Sequence, residues 1–216
     1  MSTDHEKYFE TRFAEDARRV AMWRHLTRYL SAYVPPDAAV LELGAGYCYF
    51  INGVSARRRV AVDLSETVRR MAGPGVEAVV GDALEALRTM PDAQFDFVFA
   101  SNFLEHFEWP VLDAMARELS RVLRPGGRFA VVQPNFRLQP GRYFDDYTHR
   151  AIFTDVSLAD WMASHGFRIV TVVPRFLPLT VKSRLGGLSF LMPLYLRLPW
   201  RPMAGQMFVV AERPGP

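Results

Sequence analysis

Two glycines spaced one apart, Gly44 and Gly46, follow a short apolar run that holds one acid, Glu42, and apolar residues resume over 47–54. That order reads as a buried strand, a tight turn and a helix. Glycine lets the backbone turn sharply and lie close to a ligand. The N–H groups that open a helix attract an anionic part of that ligand. Asp63, Asp82 and Ser101-Asn102 each close a later apolar run. In an open α/β sheet, ligands bind outside the carboxyl ends of the strands, so these residues outline a site for a nucleotide-like cofactor. Asp63 lies roughly twenty residues beyond the glycines, where an acid can accept from both ribose hydroxyls. Two histidines fall at the same strand ends. His106 follows the fourth run, and His149 lies in the long connection after the fifth. Both are candidate bases, because imidazole titrates near neutrality. His5, His25 and His165 sit in the polar N-terminus, the first helix and a helix end, and read as structural or solvated.

The glycine spacing excludes two common cofactors. A dinucleotide fingerprint needs a third glycine three residues after Gly46, and Tyr49 stands there. A phosphate-cradling loop needs a Lys followed by Ser or Thr after its last glycine, and none is present. What remains, Glu42-x-Gly44-x-Gly46, resembles motif I of the class I S-adenosylmethionine-dependent methyltransferases. Leu123-Arg124-Pro125-Gly126-Gly127 is similar to that family's turn before its fifth strand. Cys48, where the family has a small residue, is a departure. The resemblance implies S-adenosylmethionine as cofactor, held by Glu42, Gly44, Ala45, Gly46, Asp63, Leu64, Asp82, Ala83, Ser101 and Asn102. By the same resemblance Glu42 serves the cofactor's amino group and Asp82 the adenine amino group. Acceptor and sulfonium would meet at Ser101-Asn102-Phe103. Arg12, on an N-terminal helical lid over 1–34, would pair with the methionine carboxylate. Each acid also has a plainer use. Asp63 and Asp82 can cap a helix or a turn, Glu42 can accept from neighbouring backbone N–H groups, and the first helix can be simply amphipathic.

The elements that must position these residues alternate. Strands are expected over 39–43, 58–62 ending at Asp63, 76–80, 95–100, 128–133, 167–173 and 206–212. Helices are expected over 1–33, from Ser65, over 111–123, and from a Ser157 cap to His165-Gly166. The fold class is α/β, doubly wound, with a seven-stranded mostly parallel sheet and helices on both faces. The resemblance implies an antiparallel last strand. A long connection over 134–154 and an insertion over 174–205 interrupt the alternation, and such segments are usually functional or mobile.

The 216 residues, half of them hydrophobic, suit one domain with a sizeable core. One cysteine allows no internal disulfide. There is neither a signal-peptide h-region nor an apolar run of spanning length, so a soluble, cytoplasmic protein is expected. The formal charge is only +3, yet no acid occurs between Asp160 and Glu212, where Arg168, Arg175, Lys182, Arg184, Arg197 and Arg201 lie. A basic, apolar segment there suits an anionic substrate, a peripheral membrane contact or, if its apolar residues pair symmetrically, a homodimer.

In-line methyl transfer to a hydroxyl needs positioning, water exclusion and a base, His106 or His149. Cation-dependent relatives place an acid right after strand four, where this chain has Ser101-Asn102, so no metal is expected. Asp145 and Asp146 read as solvated. The absence of Asn-Pro-Pro-Tyr favours O- over N-methylation. Tyr147-Thr148-His149 and Phe176-Leu177-Pro178 resemble bacterial methyltransferases found beside cell-surface polysaccharide genes. The expected acceptor is a small molecule or a saccharide, sugar-nucleotide or lipid-linked glycan hydroxyl. No DNA partner is expected, and RNA would need a basic groove with stacking aromatics. The alternative is a non-catalytic S-adenosylmethionine-binding regulator or partner subunit.

Overall fold

The computed structural model describes residues 17–178 and 190–215. Among these, β1 (Ala39–Leu43), β2 (Arg58–Asp63), β3 (Val76–Val80), β4 (Phe95–Ser101), β5 (Leu123–Pro134), β6 (Arg168–Val173) and β7 (Gln206–Glu212) form one sheet in the order β3-β2-β1-β4-β5-β7-β6. The first five strands run parallel. β7 runs antiparallel to both its neighbours, β5 and β6. It is not an edge strand, and its buried residues from Gln206 to Ala211 match an interior place.

Alternation along the strands divides the core in two. Leu41, Val98, Ala100 and Val131 face helices α4 (Ala83–Thr89), α5 (Trp109–Val122) and α7 (Asp155–Ser164). Val40, Phe97, Phe99 and Val132 face α1 (Ala17–Leu30) and α2 (Tyr49–Gly53). Three short helices complete the described residues: α3 (Thr67–Met71), α6 (Pro140–Tyr143) and α8 (Met192–Arg197). None of the described helices is long and apolar enough to cross a membrane.

Several expected boundaries move, for local reasons. β5 begins at Leu123 rather than residue 128, because Leu123 pairs with Phe95 across a register shift. Ser157 does not cap α7. Thr154 does, accepting from the Ser157 amide at 3.1 Å, while the Ser157 hydroxyl returns a contact to the Thr154 amide at 2.9 Å. Ser65 lies two residues before α3 and accepts from the Thr67 amide. Of the expected first helix, Ala17–Leu30 is helical and Ser31–Tyr33 is a 3₁₀ turn. Its Leu26 and Leu30 are buried in the core, so this part packs rather than opens. Residues 1–16, with Arg12, lie outside the described residues.

The insertion over 174–205 is only partly a surface. Phe176, Leu177 and Leu196 are buried. Arg201 is buried as well: its guanidinium donates to the Leu196 carbonyl at 2.6 Å and lies 5.3 Å from the Phe176 ring. A planar, weakly hydrated cation tolerates such a place better than an ammonium does. Arg168 is tied to Glu212 at 2.6 Å. Arg201 belongs to the core rather than to a surface, while Arg168 stays exposed in a surface ion pair. Lys182 and Arg184 lie outside the described residues.

The capping box of α7 gives a direct test. Thr154→Ala removes a side-chain acceptor, at about 1 kcal/mol. The melting temperature should fall by about 2–4 °C. An unchanged melting curve would show that the box contributes nothing.

Candidate functional site

The glycine loop between β1 and α2 is held from both sides by acids. The Ala45 amide donates to the Val62 carbonyl at 3.1 Å, continuing the β1–β2 pairing beyond the strand. Asp63 accepts from the Gly46 amide through one oxygen and from the Ser65 amide through the other, both at 2.8 Å. Glu42 accepts from the Ile51 amide at 2.9 Å. Gly44, Gly46 and Cys48 all have left-handed φ, at 65°, 47° and 57°. Two of these need no Cβ, and the third stores some strain. At Gly44 a Cβ would also lie 2.5 Å from Cδ2 of Phe103, so the ring after β4 closes directly over the loop.

The acids therefore have the plainer of their expected uses. Asp63 shapes the loop. Asp82 caps α4 through Oδ1, which accepts from the Leu84 and Glu85 amides. Its side chain is exposed and Oδ2 makes no hydrogen bond among the described residues. Leu64 is 47% exposed beside Asp63, an apolar face open to a flat ligand, and Ala83 is buried at the start of α4. One expectation fails. α2 has only five residues, and its Ile51 amide is already given to Glu42, so it offers no anion site of its own.

Glu42 is the electrostatically costly member. Burial, with the nearby Asp63 charge, pushes its carboxyl up to about 8, and the single Ile51 amide offsets only part. Burial pushes the Cys48 thiol up as well, and Glu42 and Asp63 add to the effect, so Cys48 is an inert packing residue here. A cationic group entering beside Glu42 would relieve its buried charge. This fits the ammonium of a methionyl group, and the loop as a whole fits a nucleoside.

At the end of β4, Asn102 adopts φ 49°. Its amide donates to the Val132 carbonyl, its side chain donates to Ser101 Oγ, and its Oδ1 accepts from Gln206 on β7 at 2.6 Å. Four residues on, at His106, the two candidate bases meet. The His106 and His149 rings lie 5.2 Å apart at 64°. Sequence placed them 43 positions apart; tertiary pairing joins them, because the Glu105 carbonyl accepts from the Arg150 and Ala151 amides at 2.7 and 3.1 Å. The Thr148 hydroxyl gives its one proton to Asp146 at 2.6 Å. His106 Nδ1, 2.9 Å from that hydroxyl oxygen, must then be the donor, which leaves Nε2 with its lone pair. Burial, reinforced by His149, lowers His106 to about 4, so the ring is neutral near pH 7.

Two residues here were not singled out from the sequence. Glu105 is fully buried and neither carboxylate oxygen is in a well-formed hydrogen bond among the described residues. Burial pushes its carboxyl up to about 8. Gln133, fully buried at the end of β5, also has both amide atoms without partners. The available signal was a polar residue inside an apolar run, as at Glu42.

Comparison with known proteins places this geometry. Residues 41–131 match the family model described as a methyltransferase domain. Over 161 residues, 66% of this chain and 56% of the relative, the sequence is 34% identical to the malonyl-[acyl-carrier protein] O-methyltransferase of Methylococcus capsulatus. The chain spans about half the length of the curated relatives it matches, 56% and 40% for two of them. A S-adenosylmethionine-dependent methyltransferase from Archaeoglobus fulgidus superposes with a TM-score of 0.68 at 19% identity, covering 91% of this chain and 94% of that one. The [4+2]-cyclase SpnF superposes at 0.65 with 19% identity, covering 89% and 82%.

Charge at Glu42 predicts an unusual pH dependence of stability. A carboxyl raised from about 4.3 in the unfolded chain to about 8 in the folded one holds a proton that the unfolded state has released, so stability falls as pH rises between those values. Glu105 acts in the same direction, and lowered His106 opposes it only below about pH 6.5. Glu42→Gln keeps the acceptor for Ile51 and removes the charge. Thermal melts should show the wild type losing stability from about pH 6.5 to 8, with a shallower slope in the variant. Equal slopes would mean that Glu42 does not titrate in this window.

Proposed function

From a chain that belongs to the class I S-adenosylmethionine-dependent methyltransferase family by its fold and its methyltransferase-domain match, we propose catalysis of methyl transfer from S-adenosylmethionine to an oxygen of a small molecule. The acceptor class is a saccharide, sugar-nucleotide or lipid-linked glycan hydroxyl. The observation that supports cofactor binding most is the left-handed glycine loop held between Glu42 and Asp63 at the carboxyl ends of β1 and β2. Two buried carboxyl groups, Glu42 and Asp63, at the strand ends suit a ligand with an ammonium at one end and a ribose at the other.

The cofactor supplies an activated methyl group on a positively charged sulfur. The chain's own residues divide the remaining work. Glu42 takes the ammonium, Asp63 the ribose hydroxyls, and Asp82 Oδ2 the adenine amino group, with Leu64 beside the base. Gly44 and Phe103 keep the backbone close and shed water. Ser101 and Asn102, fixed by Gln206, form the floor on which an acceptor rests. His106 Nε2, neutral and held by the Thr148–Asp146 relay, can receive the acceptor's proton. Burial makes it a weak base, so its orientation matters more than its strength.

The acceptor side is supported by the insertion over 174–205. Phe190, Leu194, Trp200 and Met203 are each more than half exposed, an apolar surface suited to a lipid-linked acceptor, a membrane or a second copy. A second reading has one specific support. The fold is shared with a protein described as a [4+2]-cyclase, so the fold alone does not require methyl transfer.

Calorimetric titration with S-adenosylmethionine tests the cofactor site. Asp82→Asn retains the Oδ1 cap of α4 and replaces the free oxygen by a donor. Wild-type binding should be saturable and about tenfold weaker in this variant, or roughly 1.4 kcal/mol. No wild-type binding overturns the proposal. With methyl-labelled cofactor, base-stable label on sugar nucleotides supports a hydroxyl acceptor. Base-labile label on carboxylic acids would move the acceptor to a carboxyl group, and binding without transfer to either class would favour the regulator reading.

A further inference from the structure

The buried cluster after β4 has the composition of a coordination site. Glu105, His106 and His149 each present one donor atom, and these atoms lie within 4.8 Å of one another. We propose that this cluster binds a first-row divalent cation of the Zn²⁺ class through the Glu105 carboxylate and one nitrogen of each imidazole.

Four observations support the site independently of any titration. First, the Glu105 carboxylate is fully buried with neither oxygen in a well-formed hydrogen bond among the described residues, and its own and the Phe103 backbone amides offset the burial only in part. A buried carboxyl with so little compensation is among the most expensive groups a fold can keep, and a cation would compensate it. Second, the donor set is two imidazoles and one carboxylate, which suits Zn²⁺ and neighbouring first-row ions better than an all-oxygen ion such as Mg²⁺. Third, one imidazole is already oriented as a ligand. Thr148 donates to Asp146, so His106 donates from Nδ1 to the Thr148 hydroxyl and its lone pair is on Nε2. A ligand histidine whose other nitrogen donates into a polar chain ending in a carboxylate is the usual support around a metal. Fourth, the parts are held together by backbone rather than by chance side-chain contact. The Glu105 carbonyl accepts from Arg150 and Ala151, and Tyr143, whose hydroxyl donates to the Ala151 carbonyl at 2.6 Å, lies 4.7 Å from the His149 ring.

The spacing is slightly open. Bonds of about 2.1 Å in a tetrahedral site put donors about 3.4 Å apart, so closure by about 1–1.5 Å is required. Three protein ligands leave a position for water or substrate. The loop also carries Phe103, packed on Gly44. Resting on the methyl-transfer reading, that open position is where an acceptor oxygen would sit. With a cation bound, the Nε2 lone pair of His106 is taken by coordination, so His106 is then a ligand and not the base, and the acceptor's proton leaves to solvent; this departs from the metal-free mechanism expected from Ser101-Asn102 after β4. The adjacent acids also divide: Asp145 stays on the surface, and Asp146 supports His106 without being a ligand.

The test uses the full chain after dialysis against a chelator. Zn²⁺ is titrated by calorimetry and Co²⁺ by visible absorption, beside the isosteric Glu105→Gln, His149→Ala and Thr148→Ala. One equivalent should bind, with the absorption of a four-coordinate N/O Co²⁺ site. Affinity should drop at least about tenfold in Glu105→Gln and His149→Ala, and about 10–100-fold in Thr148→Ala, which acts through His106. Circular-dichroism melts establish that each variant is folded. No saturable binding to folded wild type overturns the proposal. So does full affinity in both folded Glu105→Gln and folded His149→Ala, which would place any bound cation elsewhere. Failure to bind S-adenosylmethionine leaves these metal titrations unaffected, so the two readings fail separately.

Discussion

Two buried carboxylates acting on backbone amides are the constraint from which the rest of the described site follows. Asp63 reaches back from β2 to Gly46, and Glu42 reaches forward from β1 to Ile51. Between them the chain is bent through three left-handed residues. Replacing either acid by an apolar residue would take away the side-chain acceptor of its amide. Their charge is expensive at that depth, and Glu42 shows it in its raised carboxyl. A fold that keeps such a carboxyl beside an open strand end, protonated until a partner arrives, is arranged to receive a cation there.

A second polar concentration lies next to this loop at the same end of the sheet. Phe103 joins them: its ring covers Gly44, and Glu105 and His106 follow within one short turn. The chain thus places loop shape, cofactor-side acids and the histidine cluster within a few residues of the ends of β1, β2 and β4. The opposite end is closed by ordinary ion pairs, such as Asp96 with Arg124 at 2.8 Å and with the Ala39 amide at 2.7 Å. Structural charges are paired there, and under-compensated ones gather where a ligand would enter. That asymmetry is what separates a binding end from a supporting end.

Basic character in the last quarter of the chain shows the limit of counting charges. Arg201 and Arg168 look like members of a cationic face in the sequence, yet one is stacked inside the core and the other is paired with Glu212. The apolar residues of the same segment divide likewise. Phe176 and Leu196 enter the core, and Phe190 and Trp200 stay exposed. No local pattern distinguishes the two groups, because both are set by where β7 returns between β5 and β6.

What the sequence by itself determined was whatever depends on near neighbours. The seven strands were legible from runs such as 39–43 and 76–80, and the α/β class from their alternation with helices. The glycine loop was legible because glycine readily takes its left-handed backbone, and the acids Asp63 and Asp82 because they close apolar runs. Cap identity at Thr154 and the start of β5 were missed by a few residues, since a capping box and a cross-strand pair at Leu123 look like ordinary loop chemistry until their partners are seen. Only the tertiary structure decided which polar residues meet. His106 and His149 are distant in the chain and adjacent in space because one carbonyl, that of Glu105, ties their loops together. Glu105 itself looked like part of a short polar turn, and its burial without a well-formed hydrogen bond is a property of packing from several elements at once. Spacing reports the local backbone; desolvation and encounter between remote loops are set by the whole fold.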